Sequence, residues 1–156
     1  MVEVGFVNKT IGLASTLLGV FVGGVLMVRL GLFHSLLWFG ILQAITNLLF
    51  FALAIVGQHF PLYVATVFLE NFSGGLGTAA FMALVMSLCN ARFTATQFAL
   101  LSSFSAIGRV FVGPAAGFLV ENVGWVEFFL WTVVFAVPGL LLLWWLRSTI
   151  FSYEAD

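Results

Sequence analysis

The chain reads as a succession of long apolar runs separated by short polar breaks. The runs are Val7–Leu30, Phe33–Val56, Leu62–Leu88, Thr94–Leu119 and Trp125–Leu146. Each reaches the length at which a helix crosses the hydrocarbon core, about 20 mostly apolar residues. The breaks are Arg29-Leu30-Gly31, Gly57-Gln58-His59-Phe60-Pro61, Cys89-Asn90-Ala91-Arg92 and Glu121-Asn122-Val123-Gly124. Connections this tight force neighbouring helices to run antiparallel. No run shows the strict alternation of a barrel strand, and in lipid every backbone amide must be bonded within its own segment, so continuous helices are expected. The pattern predicts an all-α membrane protein, one transmembrane helical domain of about five spanning helices.

Composition points the same way. Of 156 residues, 63% are hydrophobic and 7% charged, against about 25% charged in an average soluble domain. A soluble fold of this size has too much surface for its volume to hide so many apolar side chains. Lipid is therefore the expected surrounding. The net charge of −1 offers no basic face to nucleic acid. Cys89 is the lone cysteine, without a disulfide or metal partner at a useful spacing. No cleavable signal pattern is present.

Charge also predicts orientation. Arg29, Arg92 and Arg147 fall in the first break, the third break and beyond the last run, all on one side of an up-and-down bundle. The second and fourth breaks carry no Lys or Arg. The basic side is expected to be cytoplasmic, with the C-terminus inside and the N-terminus, bearing Glu3 and Lys9, outside. Lys9 runs against that rule. An odd helix count that starts outside suggests further helices upstream. Val20-Phe21-Val22-Gly23 recurs as Val110-Phe111-Val112-Gly113, either by chance or as the trace of an internal repeat, which secondary transporters often contain.

Charges inside the runs are the candidates for chemistry, since a charge at membrane depth is kept against a cost. Glu70 opens Glu70-Asn71-Phe72-Ser73-Gly74-Gly75-Leu76-Gly77 and reads as a proton or substrate group, or as half of a structural ion pair. Arg109 is the deepest charge, about 12 residues or ~18 Å from the outer end of its run. Glu70 lies about 8 residues, or ~12 Å, from its own outer end. The two depths allow a pair; alternatively Arg109 clamps a substrate carboxylate. Gln43, Thr46 and Asn47 share a helix face at spacings of three and four and line a polar path or bond helices together. Gly74, Gly75, Gly77, Gly113, Pro114 and Gly117 permit close helix packing, Pro114 with a kink, and Pro138-Gly139 is a weaker case. His34 and His59 read as solvated surface residues. Trp125, Trp144 and Trp145 lie near run ends as interfacial anchors do. No hydrolase elbow, zinc motif or phosphate loop occurs, so neither an enzyme nor a cofactor is expected.

Several of these stretches resemble the AmpG family of muropeptide permeases, within the major facilitator superfamily. They are Glu3 to Thr10, Glu70 to Phe81, Cys89 to Ser102 and Gly108 to Pro114. The first break also resembles the superfamily's cytoplasmic loop motif, keeping Gly24, Leu26, Arg29 and Gly31. Val28 replaces its usual acid and Leu32-Phe33 its basic pair, so the resemblance does not extend to a latch built from those charges. It implies a fold of twelve or more helices, of which this chain would be helices eight to twelve, the C-terminal half without its first helix. It also implies proton-coupled import of anhydro-muropeptides, sugar–peptide fragments of peptidoglycan, across a bacterial inner membrane. The partners implied are the lipid bilayer, that substrate, protons and the N-terminal half of the transporter. Two alternatives stand beside this: transport of another solute, as in the neighbouring acetyl-CoA transporters, and a non-transporting remnant or helix-packing partner.

Overall fold

The computed structural model describes residues 2–57, 59–89 and 93–154, with the side chains of 2–4, 6–7, 109 and 152–154 also left out. The Arg92 loop, Gln58 and the side chains of Glu3 and Arg109, singled out above, therefore lie outside the described residues. The chain forms α1 (Val2–Leu30), α2 (Leu32–Val56), α3 (Phe60–Ser87), α4 (Thr94–Trp145) and a short α5 (Arg147–Glu154). There is no strand among the described residues. Among the described residues, four helices are long and apolar enough to cross a membrane.

The expected fourth and fifth runs both lie within α4. Their connection is shorter than the polar break read from the sequence: Glu121, Asn122 and Val123 are helical, and Gly124 alone leaves the helical conformation, at φ 84, ψ 167. That region is open to glycine because it has no Cβ to clash with its own backbone. Gly31 has almost the same dihedrals, φ 78, ψ 166, where it turns the chain from α1 into α2. Around Gly124 the two arms of α4, 94–123 and 125–145, fold into a hairpin. Leu119 and Phe128 near the bend, and Val112 and Ala136 far from it, line one apolar cavity of about 600 Å³ between the arms.

Helix directions follow from the paired contacts. Phe39 of α2 packs with Leu76 and Ala80 of α3, and Ala83 and Leu84 near the end of α3 pack against the group of Leu32 and Phe33 at the start of α2; these two helices are antiparallel. Phe50 of α2 stacks on Phe129, and Gly40 faces Leu140, so α2 also runs antiparallel to the second arm of α4. At one end of the bundle Ile150 of α5 is buried against Leu32 and Phe33, and Phe151 meets the rings of Phe33 and His34. Arg29 and Arg147 thus sit at the same end, the latter over the Trp144 ring at 5.1 Å. His34, expected to be solvated, is exposed but in ring contact there.

The closest packing joins α1 to α3. Gly12, Ser15, Gly19 and Gly23 form a buried stripe on α1, at spacings of three and four that keep one helix face together. A Cβ on Gly19 would overlap the carbonyl oxygen of Phe72, and one on Gly75 would overlap that of Thr16 and sit 3.0 Å from Gly19 Cα. Small residues let the backbones come this near, the arrangement that holds helices together in lipid, where apolar burial supplies no drive.

Candidate functional site

Two adjacent residues at the middle of α3 point to different neighbours. Glu70 turns toward α2 and Asn71 toward α1. Asn71 donates its Nδ2 to the Val67 carbonyl at 2.8 Å. Its Oδ1 lies 3.4 Å from the Thr16 hydroxyl, which itself donates to the Gly12 carbonyl at 2.9 Å. A Cβ on Gly12 would lie 3.4 Å from Asn71 Nδ2. Asn71 therefore serves the α1–α3 seam.

Glu70 is the centre of a polar cluster between α2 and α3. The Gln43 amide donates Nε2 to Glu70 Oε1 at 2.5 Å. At its other end, Gln43 Oε1 lies 3.0 Å from the Ser73 hydroxyl. Ser73 Oγ is also 3.0 Å from Thr46 Oγ1 and 3.0 Å from the Glu70 carbonyl oxygen. Thr46 Oγ1 lies 3.0 Å from the Gln43 carbonyl oxygen. Thr46 and Ser73 are buried, so water cannot substitute for these contacts and each must find its partner inside the protein. The second carboxylate oxygen, Glu70 Oε2, is buried with no hydrogen-bond partner among the described residues. No described charged side chain other than Glu70 takes part. Two further apolar hollows lie away from the cluster, one between the arms of α4 and one lined by Leu88, Gln97, Leu100, Leu101 and Phe104.

The sequence candidates sort accordingly. Gln43, Thr46 and Glu70 come together, as a polar face of α2 meeting an acid of α3. Asn47, expected on the same face, is half-buried with no hydrogen-bond partner among the described residues. A pair with Arg109 was one of the two readings for Glu70; among the described side chains Glu70 meets the neutral Gln43. Arg109 is on the first arm of α4, and its side chain is outside the described residues. Among the glycines read as packing sites, Gly75 is one, and a Cβ on Gly74 would touch Gln43 Oε1 at 3.7 Å. A Cβ on Gly77, Gly113 or Gly117 would have nothing within 4 Å, because their helix faces are turned away from every described neighbour. Pro114 lies in the same exposed stretch of α4. In the loop motif, Gly31 is the turn itself, Arg29 is exposed, and Gly24 has open space beside it. Ser73 is a site residue that the sequence reasoning missed; its signal was the spacing of three from Glu70. No group of three or more His, Cys, Asp or Glu that could hold a metal occurs among the described residues.

No family model matches the chain, but individual proteins do. It is 55% identical over 148 residues to the anhydromuropeptide permease of Escherichia coli K12, covering 95% of this chain and 30% of that protein. It is 38% identical over 148 residues to putative transporter AmpG 4 of Rickettsia conorii, covering 95% and 36%. With putative transporter AmpG 1 of Rickettsia prowazekii the identity is 36% over 141 residues, covering 90% and 32%. The chain thus spans about a third of the length of the curated relatives it matches.

Proposed function

This chain belongs, over 95% of its length, to the AmpG family of permeases, and from that premise we propose that it forms the helical core of one half of a muropeptide importer. The observation that carries the reading is the 55% identity to an anhydromuropeptide permease. The substrate class is the sugar–peptide fragment released from peptidoglycan. Transport is by alternating access between two helical halves, with the substrate path at their interface. The up-and-down bundle, with α1 packed on α3, α3 on α2 and α2 on α4, suits the C-terminal half of such a transporter. The membrane is the bacterial inner membrane, with the Arg29 and Arg147 end in the cytoplasm, in keeping with the excess of basic residues on that side.

Import is coupled to protons, and Glu70 is the proton site. It lies near the middle of a spanning helix, whereas Glu121 and Glu127 flank the bend of α4, and it has a buried oxygen without a donor among the described residues. A carboxylic acid at membrane depth that faces its own bundle marks a proton or ion path by default. Gln43 is the polar neighbour of Glu70, Asn47 lies on the same face of α2, and Arg109 is the candidate group for a substrate carboxylate.

A chimaera tests this. The matching segment of the E. coli anhydromuropeptide permease is replaced by this chain and expressed in cells without their own permease. Uptake of labelled anhydro-muropeptide should return, driven by an inward proton gradient. A chimaera that reaches the membrane in normal amount yet imports nothing would overturn the proposal. Uptake that ignores the proton gradient would overturn the coupling alone.

A further inference from the structure

The polar cluster is built so that a change at Glu70 has somewhere to go. An amide side chain has a donor at one end and an acceptor at the other, and a hydroxyl is both. In the structure the donors run in one direction: the Ser73 hydroxyl to Gln43 Oε1 at 3.0 Å, and Gln43 Nε2 to Glu70 Oε1 at 2.5 Å. That direction suits a carboxylate, which only accepts. A proton arriving on the same oxygen would set donor against donor.

The surroundings already hold the remedy. If the amide turns over, the Glu70 O–H donates to Gln43 Oε1 and Gln43 Nε2 donates to Ser73 Oγ. The Ser73 hydroxyl then swings to the Glu70 carbonyl oxygen, which is 3.0 Å away. The Thr46 hydroxyl keeps the Gln43 carbonyl oxygen at 3.0 Å. Each acceptor of the second arrangement is within reach in the first, so the exchange takes a half-turn of one amide and the rotation of one hydroxyl. The proton comes from water and returns to it, and no bond between heavy atoms changes.

We propose that Gln43 is a positioning residue whose amide turns over as Glu70 gains or loses its proton, so that α2 reads the protonation state of α3. This rests on the reading of Glu70 as the proton site. From α1 and α2 no described charged or titratable group meets Glu70: Lys9, Arg29 and His34 lie toward the helix ends. From α4 the intramembrane charge is Arg109, whose side chain is outside the described residues, and Glu121 and Glu127 flank the bend. On α3 itself the nearest titratable group is Tyr63, two turns earlier.

The test uses the chain in lipid bilayers, with glutamine carrying 13C in its side-chain carbonyl. Gln58→Asn with Gln97→Asn leaves Gln43 as the sole labelled glutamine. A second preparation, the labelled unmodified chain minus labelled Gln43→Met, isolates the same carbonyl without those replacements. Infrared difference spectra are recorded through a pH titration, with Glu70→Asn as a control that adds no labelled glutamine. A carboxylic acid band from Glu70 should appear on acidification, and the Gln43 carbonyl band should shift with the same midpoint. Both changes should vanish in Glu70→Asn. A Glu70 band that titrates while the Gln43 band stays still would overturn the turning amide and leave the proton site standing. Absence of a Glu70 acid band at every pH would overturn the proton site, and the inference with it.

Discussion

Gln43 on α2 and Glu70 on α3 meet donor to acceptor at 2.5 Å, so the contact described for this intramembrane acid is a neutral amide. A neutral amide can hold a carboxyl group in either protonation state, whereas an arginine favours only the anion. The pair therefore joins two helices without fixing the charge of Glu70. Hydrogen bonds between membrane helices average about 0.6 kcal/mol and reach about 1.7 kcal/mol, so this contact specifies a local geometry more than it supplies stability.

Substitutions at position 70 should separate the hydrogen bond from the charge. Glu70→Gln keeps an oxygen that accepts from Gln43 and should cost less stability than Glu70→Leu. Glu70→Leu strands the buried Gln43 donor and should cost about 1–3 kcal/mol. Denaturant unfolding in mixed micelles reads both. A cycle pairing Glu70→Gln with Arg109→Gln should be additive. If the two single changes were each damaging and the double recovered much of the loss, a Glu70–Arg109 ion pair would be the right description.

The α1–α3 seam should respond to a single methyl group. Gly75→Ala puts a Cβ onto the Thr16 carbonyl oxygen, and a backbone atom cannot step aside as a flexible side chain can. The helices must separate, at a cost of roughly 1–3 kcal/mol. Gly77→Ala, two residues on, meets open space and should be close to neutral. Equal effects of the two changes, measured by the same unfolding assay, would show that the seam is not packed as described.

The contrast between those glycines marks how far sequence reasoning reaches. The spanning runs are legible because apolar length alone decides them, and the observed ends differ from the expected ones by a few residues: α1 begins at Val2 rather than Val7, and α3 at Phe60 rather than Leu62. The short α5 is not legible, since Arg147–Glu154 is mostly polar and too short for a span. Gly77, Gly113 and Gly117 look as suited to packing as Gly75, yet which face meets a neighbour depends on tertiary placement that spacing does not encode. The Gly12, Ser15, Gly19 and Gly23 stripe is visible as small residues at spacings of three and four, but it lies in a run with few charges to draw notice. At the site, depth along the helix makes Glu70 and Arg109 plausible partners. Helix rotation, which gives Glu70 to Gln43, is not readable from depth.

Gly124 should be hard to replace. Its φ of 84 and ψ of 167 fall in a region that is essentially restricted to glycine, and holding another residue there costs about 1–3 kcal/mol. A Leu119→Cys, Phe128→Cys pair in a Cys89→Ala background should cross-link across the bend, since both residues line the cavity between the arms. Adding Gly124→Ala should reduce that cross-link strongly. Unchanged cross-linking would mean that the bend is held by its neighbours and not by the glycine.

Orientation can be decided by which loops the outside reaches. The packing of Ile150 against Leu32 and Phe33 puts the start of α5 at the Gly31 end of the bundle. The ends of α1 and α3 lie there too, because Met27, Ala83 and Leu84 pack against the same group. The bend at Gly124 lies toward the other end, where Phe50 stacks on Phe129, and α2 ends on that side. Arg29 and Arg147 make the Gly31 end the basic one, and basic ends face the cytoplasm. In a Cys89→Ala background, Gln58→Cys and Asn122→Cys should react with a membrane-impermeant thiol reagent applied outside intact cells. Asn90→Cys should react only after the cells are opened. Labelling of Asn90→Cys in intact cells, with the other two protected, would invert the assignment. It would also place the Glu70 cluster nearer the opposite face, so that a proton driven inward would reach it from the wrong side.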